Sequence, residues 1–181
     1  MTQDPRITAW ENHVRSEFFE NDADAALAVM TAQPYVNHVP TLTGGSGRAE
    51  VENFYRRHFV GKTPEDLEVT PVSRTIGDER IVDELVIRFT HSRAMDYFLP
   101  GVEPTNRRIE VAVVVVARFE DGLLAAEHIY WDQASVLVQI GRLDPAGLPV
   151  VGREAAQKVL DPSLPGNGLI QRAQSRRAGA A

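Results

Sequence analysis

The amino-acid sequence predicts an α+β fold in which three N-terminal helices pack on a strongly curved antiparallel sheet, followed by a C-terminal extension. Apolar residues first recur at helical spacing, whereas from Leu67 onward they alternate with polar residues as in strands. The run VAVVVVA, residues 111–117, is apolar throughout, which predicts a central strand covered on both faces. Since the helices cover one face, a second subunit or the C-terminal segment must cover the other, and a homodimer through the convex face is expected.

Two helices open the chain. Asp4-Pro5 marks the start of the first, because proline is tolerated in the first helical turn. Trp10, Val14 and Phe18 then recur at the spacing of an amphipathic helix. The stretch from Asn21 to Met30 supplies capping residues followed by strong helix formers, which predicts the second helix.

An extended piece, residues 34–40, and a glycine-rich loop, residues 41–47, precede the third helix, which Ser46 is placed to cap and which is expected to run through Arg56. In the strands that follow, Pro71 requires an edge position or a bulge. A hairpin turn at Asp121-Gly122 precedes the last strand. The predicted strands span residues 67–76, 81–91, 109–119 and 125–141.

The main domain is assigned to residues 1–142 and the extension to residues 143–181. Proline and glycine punctuate the extension around one predicted helix, residues 152–160. Residues 171–181 are expected to form a frayed tail.

The composition excludes several classes of function. A net charge of -6 and a pI of about 5.4 argue against nucleic-acid binding and against attraction to an anionic membrane. The chain has no cysteine, which excludes disulfides, thiolate nucleophiles and cysteine metal sites. The start MTQDPRITAW lacks the features of a signal peptide, and no apolar run is long enough for a spanning helix. A cytoplasmic protein with a small-molecule partner is expected.

The last predicted strand carries the strongest functional candidates, in the segment EHIYWD. His128, Tyr130 and Asp132 alternate, so they are expected to project together from one face of the strand. A carboxyl group enclosed among apolar residues is suited to proton abstraction beside a carbonyl. Alternatively, Asp132 accepts hydrogen bonds from backbone amides at a strand end, while His128 and Tyr130 pack in the core.

Other candidates lie on the neighbouring elements. Phe89 and His91 share one face of their strand, and His91 lies where that strand meets a loop rich in proline and glycine. Asp96 is placed in a loop that either covers a pocket or is simply solvated. Tyr35 and His38 belong to the extended piece between helices, where His38 either lines a pocket or satisfies backbone groups.

No metal site is predicted. His38, His91 and His128 lie far apart in the sequence and lack the close spacing of a zinc motif. The glycines of TLTGGSG are not followed by the Lys-Ser/Thr ending of a phosphate-binding loop, so no phosphate site is expected there either.

The chain resembles the SnoaL-like polyketide cyclase group of the nuclear transport factor 2-like superfamily over roughly residues 7–142. The segments that carry the resemblance are EHIYWDQASVLVQIG, YVNHVP, VDELVIRFTH and PGVEPTNRRIEV. It implies a cone-shaped α+β fold around an apolar pocket, usually in a homodimer, and catalysis without a metal or organic cofactor. In those cyclases an acidic residue on the last strand acts as general acid/base, and Asp132 is the residue that matches it.

The resemblance therefore implies an enzyme acting on a hydrophobic carbonyl compound or lactone by cyclisation, isomerisation or dehydration. Asp132 would exchange the proton, and His128 and His91 would orient it or polarise the substrate oxygen. The alternatives are a module that binds a small ligand without catalysis and a dimerisation module. The residues expected to bind substrate are Tyr35, His38, Phe89, Asp96, Tyr130 and Trp131.

Overall fold

A computed structural model describes residues 4–179 of the chain, and its α+β architecture confirms the predicted fold class. The helices are α1 (Pro5–Arg15), α2 (Ala23–Ala28), α3 (Arg48–Phe54), α4 (Gln133–Gln139), α5 (Glu154–Leu160) and α6 (Gly168–Ala178), and two π-helical turns, Ser16–Glu20 and Tyr55–Phe59, continue α1 and α3. The strands are β1 (Met30–His38), β2 (Thr43–Ser46), β3 (Glu68–Ile76), β4 (Arg80–Thr90), β5 (Arg108–Glu120) and β6 (Leu123–Trp131).

The six strands form one curved, unclosed sheet in the order β2-β1-β6-β5-β4-β3. Strands β3 to β6 make the predicted antiparallel meander, with β3 at the edge, as Pro71 required. Strand β1 pairs parallel with β6, which places β6 inside the sheet. The predicted extended piece is therefore a strand.

Strand β2 occupies most of the segment that the sequence analysis assigned to a loop. A Cβ atom on Gly44 would lie 1.9 Å from the backbone oxygen of Val36, so only glycine allows β1 and β2 to approach this closely. The glycines that suggested a loop are thus required by the strand pairing.

Helix α1 begins as predicted. The side chain of Asp4 caps it by accepting a hydrogen bond from the Arg6 amide at 2.9 Å, and Pro5 occupies its first turn. Its buried face contributes Trp10 and His13. Together with Leu27 of α2 and Val51 of α3, Trp10 joins the main hydrophobic core.

The chain changes from strand to helix at Asp132, which corrects the prediction of a strand through Gly141. The Asp132 carboxylate accepts a hydrogen bond from the Ser135 amide at 3.1 Å and so caps α4. Val136 and Ile140, four residues apart, are both buried by this helix. Their apolar spacing suits a helix as well as a strand, and the capping bond decides between the two.

Helices α4 and α5 pack against β5 on the face opposite the concave side of the sheet. The Gln139 side chain exchanges hydrogen bonds of 2.8 and 2.9 Å with the Glu110 backbone. Gln157 donates to the Glu110 carboxylate at 3.3 Å. Helix α5, from the C-terminal extension, thus covers part of the outer face of β5, where Val114 and Val116 stay half-buried. The domain boundary at residue 142 stays a prediction.

The expected frayed tail is helical as far as it is described, since α6 reaches Ala178. The last two residues of that tail, 180–181, lie outside the described range. The same holds for residues 1–3 of the N-terminal segment that was considered as a signal peptide. Within residues 4–179, no helix has both the length and the apolar character needed to cross a bilayer.

Candidate functional site

A cavity of about 1020 Å³ lies between the concave face of the sheet and the helices at the start of the chain. Strand β4 contributes Asp83, Leu85, Ile87 and Phe89, which alternate along the strand and project from one face. The rest of the wall is rich in aromatic rings. They belong to Trp10, Phe18, Phe59, Tyr97, Phe98 and Trp131.

One wall of the cavity carries a buried polar cluster of His13, Glu17, Tyr55 and Glu127. The His13 Nε2 atom lies 2.7 Å from Glu127 Oε1 and 2.9 Å from Glu17 Oε1. The Tyr55 hydroxyl donates to Glu17 Oε1 at 2.6 Å and lies 3.3 Å from His13 Nε2. Glu17 and Glu127 line the cavity, so a ligand can reach this cluster.

The local backbone explains how α1 and α3 present these groups. Glu17 and Tyr55 both lie in π-helical turns, one continuing α1 and the other continuing α3. A π-helical turn shifts the side chains that follow it relative to an α-helix, and such turns occur frequently at functional sites. Glu127 comes from β6.

The orientation of His13 fixes which hydrogen bonds it can make. Its Nδ1 atom lies 3.0 Å from the Ala26 backbone oxygen and therefore carries a proton that it donates there. A proton on Nε2 can point well at only one of the two nearby carboxylates. The Oε1 atom of Glu127 accepts no hydrogen bond of good geometry. A buried carboxylate oxygen without a donor favours the protonated form of Glu127.

The pKa values follow from burial and from these contacts. Burial lowers the pKa of His13, but the carboxylates of Glu17 and Glu127 outweigh it and hold that pKa well above its usual 6.5. Burial raises the pKa of Glu127 above 4.5, and the charge of Glu17 adds to the rise while His13 opposes it. Burial also raises the pKa of the Tyr55 hydroxyl. The cluster therefore holds an imidazolium beside a carboxyl group that retains its proton more readily than usual.

The same cluster is the candidate metal site within residues 4–179, because the ligand atoms of His13, Glu17 and Glu127 lie within 4.8 Å of one another. Ligands that surround one zinc ion at their normal bond lengths stay about 3.3 Å apart. The Nε2–oxygen distances of 2.7 and 2.9 Å are shorter and are those of an ion pair between an imidazolium and a carboxylate. We therefore treat the cluster as a proton site.

A second polar group lies at the rim of the cavity. Arg74 of β3 donates to both oxygens of Asp83 at 2.6 and 2.8 Å, and the Trp10 indole donates to the same carboxylate at 2.7 Å. Arg74 also reaches Glu11 at 3.1 Å. Because all three donors bind the Asp83 carboxylate, this group holds β3 and β4 against α1.

Three of the predicted substrate-binding residues line the cavity, namely His38, Phe89 and Trp131. His38 is buried among the rings of Phe54, Phe59, Tyr97 and Trp131, at centroid distances of 5.4 to 5.9 Å. Burial lowers the pKa of His38 to about 4, so the imidazole is neutral at physiological pH. Its Nδ1 atom has no hydrogen-bond partner within the described chain.

The expectation that His128, Tyr130 and Asp132 share the enclosed face was wrong. Glu127, Ile129 and Trp131 are the residues of β6 that line the cavity, so the alternate residues His128 and Tyr130 project from the opposite face. Asp132 is exposed and lies beyond the end of β6, where it caps α4. The alternative considered for Asp132, that it accepts a backbone amide at a strand end, is the arrangement observed.

The remaining candidates also lie away from the cavity. His91 is buried, and its Nδ1 atom contacts the Thr105 hydroxyl and amide at 3.2 and 3.3 Å. Asp96 is exposed and lies 3.0 Å from His58. Tyr35 is 37% exposed on the convex face, where its ring meets that of His128 edge to face. These three residues are not brought together.

Sequence reasoning missed His13, Glu17 and Tyr55, and it assigned no role to Glu127. One signal was present, because a histidine and a glutamate four residues apart fall on the same side of a helix. The quoted segment EHIYWD contains Glu127, but the strand parity chosen pointed to its alternate neighbours. Nothing in the sequence indicated that Tyr55 would meet them.

Comparison with known proteins agrees with the fold. The SnoaL-like domain family matches residues 10–127. Comparison with curated proteins gives no match. A nuclear transport factor 2-like protein of unknown function from Burkholderia pseudomallei is 22% identical with a TM-score of 0.58, and the match covers 76% of this chain and 98% of that one.

Two further solved structures show the range of proteins with this architecture. A protein of ketosteroid isomerase-like fold from Catenulispora acidiphila, in complex with trimethylamine, is 17% identical with a TM-score of 0.54 and covers 82% of this chain and 100% of its own. The epoxide hydrolase/cyclase-like enzyme SalBIII, which acts in pyran ring formation in salinomycin, is 16% identical with a TM-score of 0.51. The match covers 70% of this chain and 90% of SalBIII. At these identities the likeness concerns the fold.

Proposed function

We propose that this chain, which belongs to the SnoaL-like domain family, is an enzyme that transfers a proton to or from a hydrophobic small molecule containing a carbonyl or lactone group. Glu127 is the proposed acid/base group. The observation that carries this proposal is the position of its buried carboxyl, with a pKa raised by burial, on the wall of a large aromatic cavity. Cyclisation, isomerisation and dehydration all use such a transfer.

The chemistry follows from the two protonation states of Glu127. In its protonated form the carboxyl donates to a carbonyl oxygen, and in its ionised form it removes a proton from the carbon beside that carbonyl. Because burial raises the pKa of Glu127 above its ordinary value, its protonated form is more accessible than that of an exposed carboxyl group. The transfer uses only side chains of this chain.

His13, Glu17 and Tyr55 are positioning residues in this proposal. The imidazolium of His13 stabilises ionised Glu127 across 2.7 Å. Glu17 holds His13 in its charged form, and the Tyr55 hydroxyl satisfies Glu17 in turn. Because Ala26 fixes the other nitrogen of His13, the ring cannot turn away from Glu127 without losing a hydrogen bond.

The walls suggest the class of ligand. A cavity of about 1020 Å³ lies at the upper end of the range for small-molecule sites, about 300–1000 Å³, and suits a molecule with several rings. Aromatic side chains pack well against planar, apolar ligands. His38, neutral and without a partner for Nδ1, is the proposed polar contact for a ligand oxygen or hydroxyl.

The test is a panel of apolar ketones, lactones and polyphenolic carbonyl compounds, screened by thermal shift and then incubated with the protein for product analysis by mass spectrometry. Ligands that bind the native state raise its melting temperature. We expect the Glu127→Gln variant to keep the thermal shift of a true substrate and to form no product. Product formation that survives this substitution would contradict the proposal.

The second candidate is a protein of the same fold that binds a small ligand without changing it. The observation that favours it is the Asp83 carboxylate on the cavity wall, which three donors from Arg74 and Trp10 already occupy, so it is not free to act with Glu127. It predicts tight binding in the panel with every ligand recovered unchanged from the wild-type protein.

The homodimer through the convex face remains a proposal of its own. Its original motive was the apolar run in β5, over which α4 and α5 already pack. Tyr130, 42% exposed on that side of the sheet, still favours it. Sedimentation velocity over a range of concentrations decides, since a species with the mass of one chain throughout would contradict a dimer.

A further inference from the structure

The convex face of β6 carries a hollow of about 300 Å³ that is separate from the main cavity. It lies on the side of the sheet to which His128 projects, so no part of the Glu127 cluster contributes to it. The residues that line it are Tyr35, Arg80, Val116, Arg118, Ala126 and His128.

The strand register explains the shape of this hollow. Arg80 lies opposite Arg118, Arg118 lies opposite Ala126, and Ala126 lies opposite Tyr35, so these four residues form one row across four strands. The small side chain of Ala126 leaves a floor between longer neighbours. His128, two residues further along β6, projects on the same side.

The charges in this row are unusual for a chain with a net charge of -6. Two arginines directly opposite each other on adjacent strands repel and destabilise the pairing. Arg118 forms an ion pair with Glu120, whereas the guanidinium of Arg80 contacts no carboxylate in residues 4–179. One carboxylate for two guanidinium groups leaves a net positive charge beside His128.

Two aromatic side chains, Tyr35 and His128, line the hollow beside the two arginines. The rings of Tyr35 and His128 meet edge to face, with centroids 5.5 Å apart and an interplanar angle of 88°. Tyr35 is 37% exposed, so its ring is available to a ligand. The hollow thus combines a cationic side with an aromatic side.

We propose that this hollow is a second binding site, which takes the phosphate group of a small phosphomonoester between Arg80 and Arg118. Each guanidinium can bind two oxygens in parallel. A carboxylate has two oxygens and binds one arginine side chain. A phosphomonoester has three free oxygens, so it can accept hydrogen bonds from Arg80 and Arg118 together. The organic part of the ligand lies against Tyr35 and His128.

The experiment titrates the full-length protein with phenyl phosphate and, separately, with inorganic phosphate at constant low ionic strength, because salt screens exposed charges. Binding is measured by calorimetry and by the NMR signal of the His128 ring, assigned with a His128→Asn variant. The test variant is Arg80→Gln/Arg118→Gln. The control is Arg57→Gln/Arg153→Gln, which removes the same charge from two other exposed arginines.

We expect phenyl phosphate to bind, to shift the His128 signal, and to bind about tenfold or more weakly to the test variant, as the loss of charge-assisted hydrogen bonds implies. The control variant binds as the wild type does. Binding of inorganic phosphate with equal affinity would identify the phosphate alone as the ligand. An unshifted His128 signal, or equal binding by the test and control variants, would overturn the proposal.

The test variant removes the repulsion between exposed Arg80 and half-buried Arg118, together with the ion pair of Arg118 with Glu120. Without phosphate, we expect its melting temperature to equal or exceed that of the wild type. With phenyl phosphate, the wild type gains melting temperature and the test variant does not. None of these readouts depends on turnover, so a failure of the role proposed for Glu127 would leave this test unaffected.

Discussion

The two faces of strand β6 differ in almost every physical respect, although their residues alternate along one short segment. Glu127 and Trp131 project into the cavity, where both are nearly inaccessible to solvent. His128 and Tyr130 project from the convex side, where Tyr130 is 42% exposed. One face therefore shifts the pKa of its carboxyl by burial, while the other offers accessible aromatic rings.

The comparison shows how much depends on strand parity. Shifting the inward-facing set by one residue exchanges an acid in an apolar cavity for a histidine on the surface. Both sets mix aromatic and ionisable residues, so composition alone does not distinguish them. The pairing of β6 with β1 and β5 fixes the parity.

The largest expected effect concerns turnover. Replacing Glu127 by glutamine removes the exchangeable proton but preserves the shape of the side chain, so turnover of a substrate found in the ligand panel should fall about 10²- to 10⁴-fold. The matched change on the other face, His128→Gln, should leave turnover unchanged. Steady-state kinetics of the two variants measures both. Equal losses would remove the distinction between the faces.

The next effect concerns stability. Trp131 is 9% exposed, stacks on Phe98 at 4.6 Å and donates to Gln133 at 2.6 Å. Trp131→Ala should lower the free energy of unfolding by about 3–5 kcal/mol. Tyr130→Ala should change it by about 0.5 kcal/mol, as at other surface positions. Urea unfolding of both variants tests this, and a smaller loss for Trp131 than for Tyr130 would contradict the assigned faces.

A smaller effect is expected at Asp132, where β6 ends. Asp132→Ala removes the cap of α4 and should lower the free energy of unfolding by about 1 kcal/mol, whereas Asp132→Asn retains the cap and should change it little. Neither variant should slow turnover beyond the effect of stability. Loss of turnover in the asparagine variant with an unchanged melting temperature would restore Asp132 as the acid.

The smallest effect is a dependence of stability on pH. Burial raises the pKa of Glu127 above 4.5 in the folded protein. Such a group stabilises the folded state at pH values below its unfolded pKa, and this stability is lost as the pH rises through the folded pKa. The wild type should therefore lose stability relative to Glu127→Gln as pH increases above 4.5. Melting curves from acidic to neutral pH measure the difference, and parallel curves would contradict it.

Much of the fold could be predicted because the periods of the helices and of the meander are local properties of the sequence. The strand predicted at residues 81–91, for example, is β4, Arg80–Thr90. The ends of elements were harder, since Val136 and Ile140 fit both periods until Asp132 is seen to cap a helix. Strand β2 was missed because its glycines are typical of loops, although here they permit close strand pairing.

The site was harder to predict than the fold because its members meet only in three dimensions. His13 and Glu17 come from the first helical segment, Tyr55 from the second π-helical turn and Glu127 from β6. Their protonation depends on burial, which no local pattern reveals. His38, Phe89 and Trp131, three of the residues expected to bind substrate, do line the cavity, although the parity predicted for the last strand would have turned Trp131 outward.

The most direct test of the central claim is the pKa of the Glu127 carboxyl in the folded protein. Carbon-13 NMR of side-chain carboxyl groups measures it, with the Glu127→Gln variant assigning the signal by its disappearance. The structure predicts a titration midpoint above the ordinary value of 4.5, because burial and the charge of Glu17 favour the protonated form over the opposing effect of His13. A midpoint at or below 4.5 would contradict the assignment of Glu127 as the acid/base group.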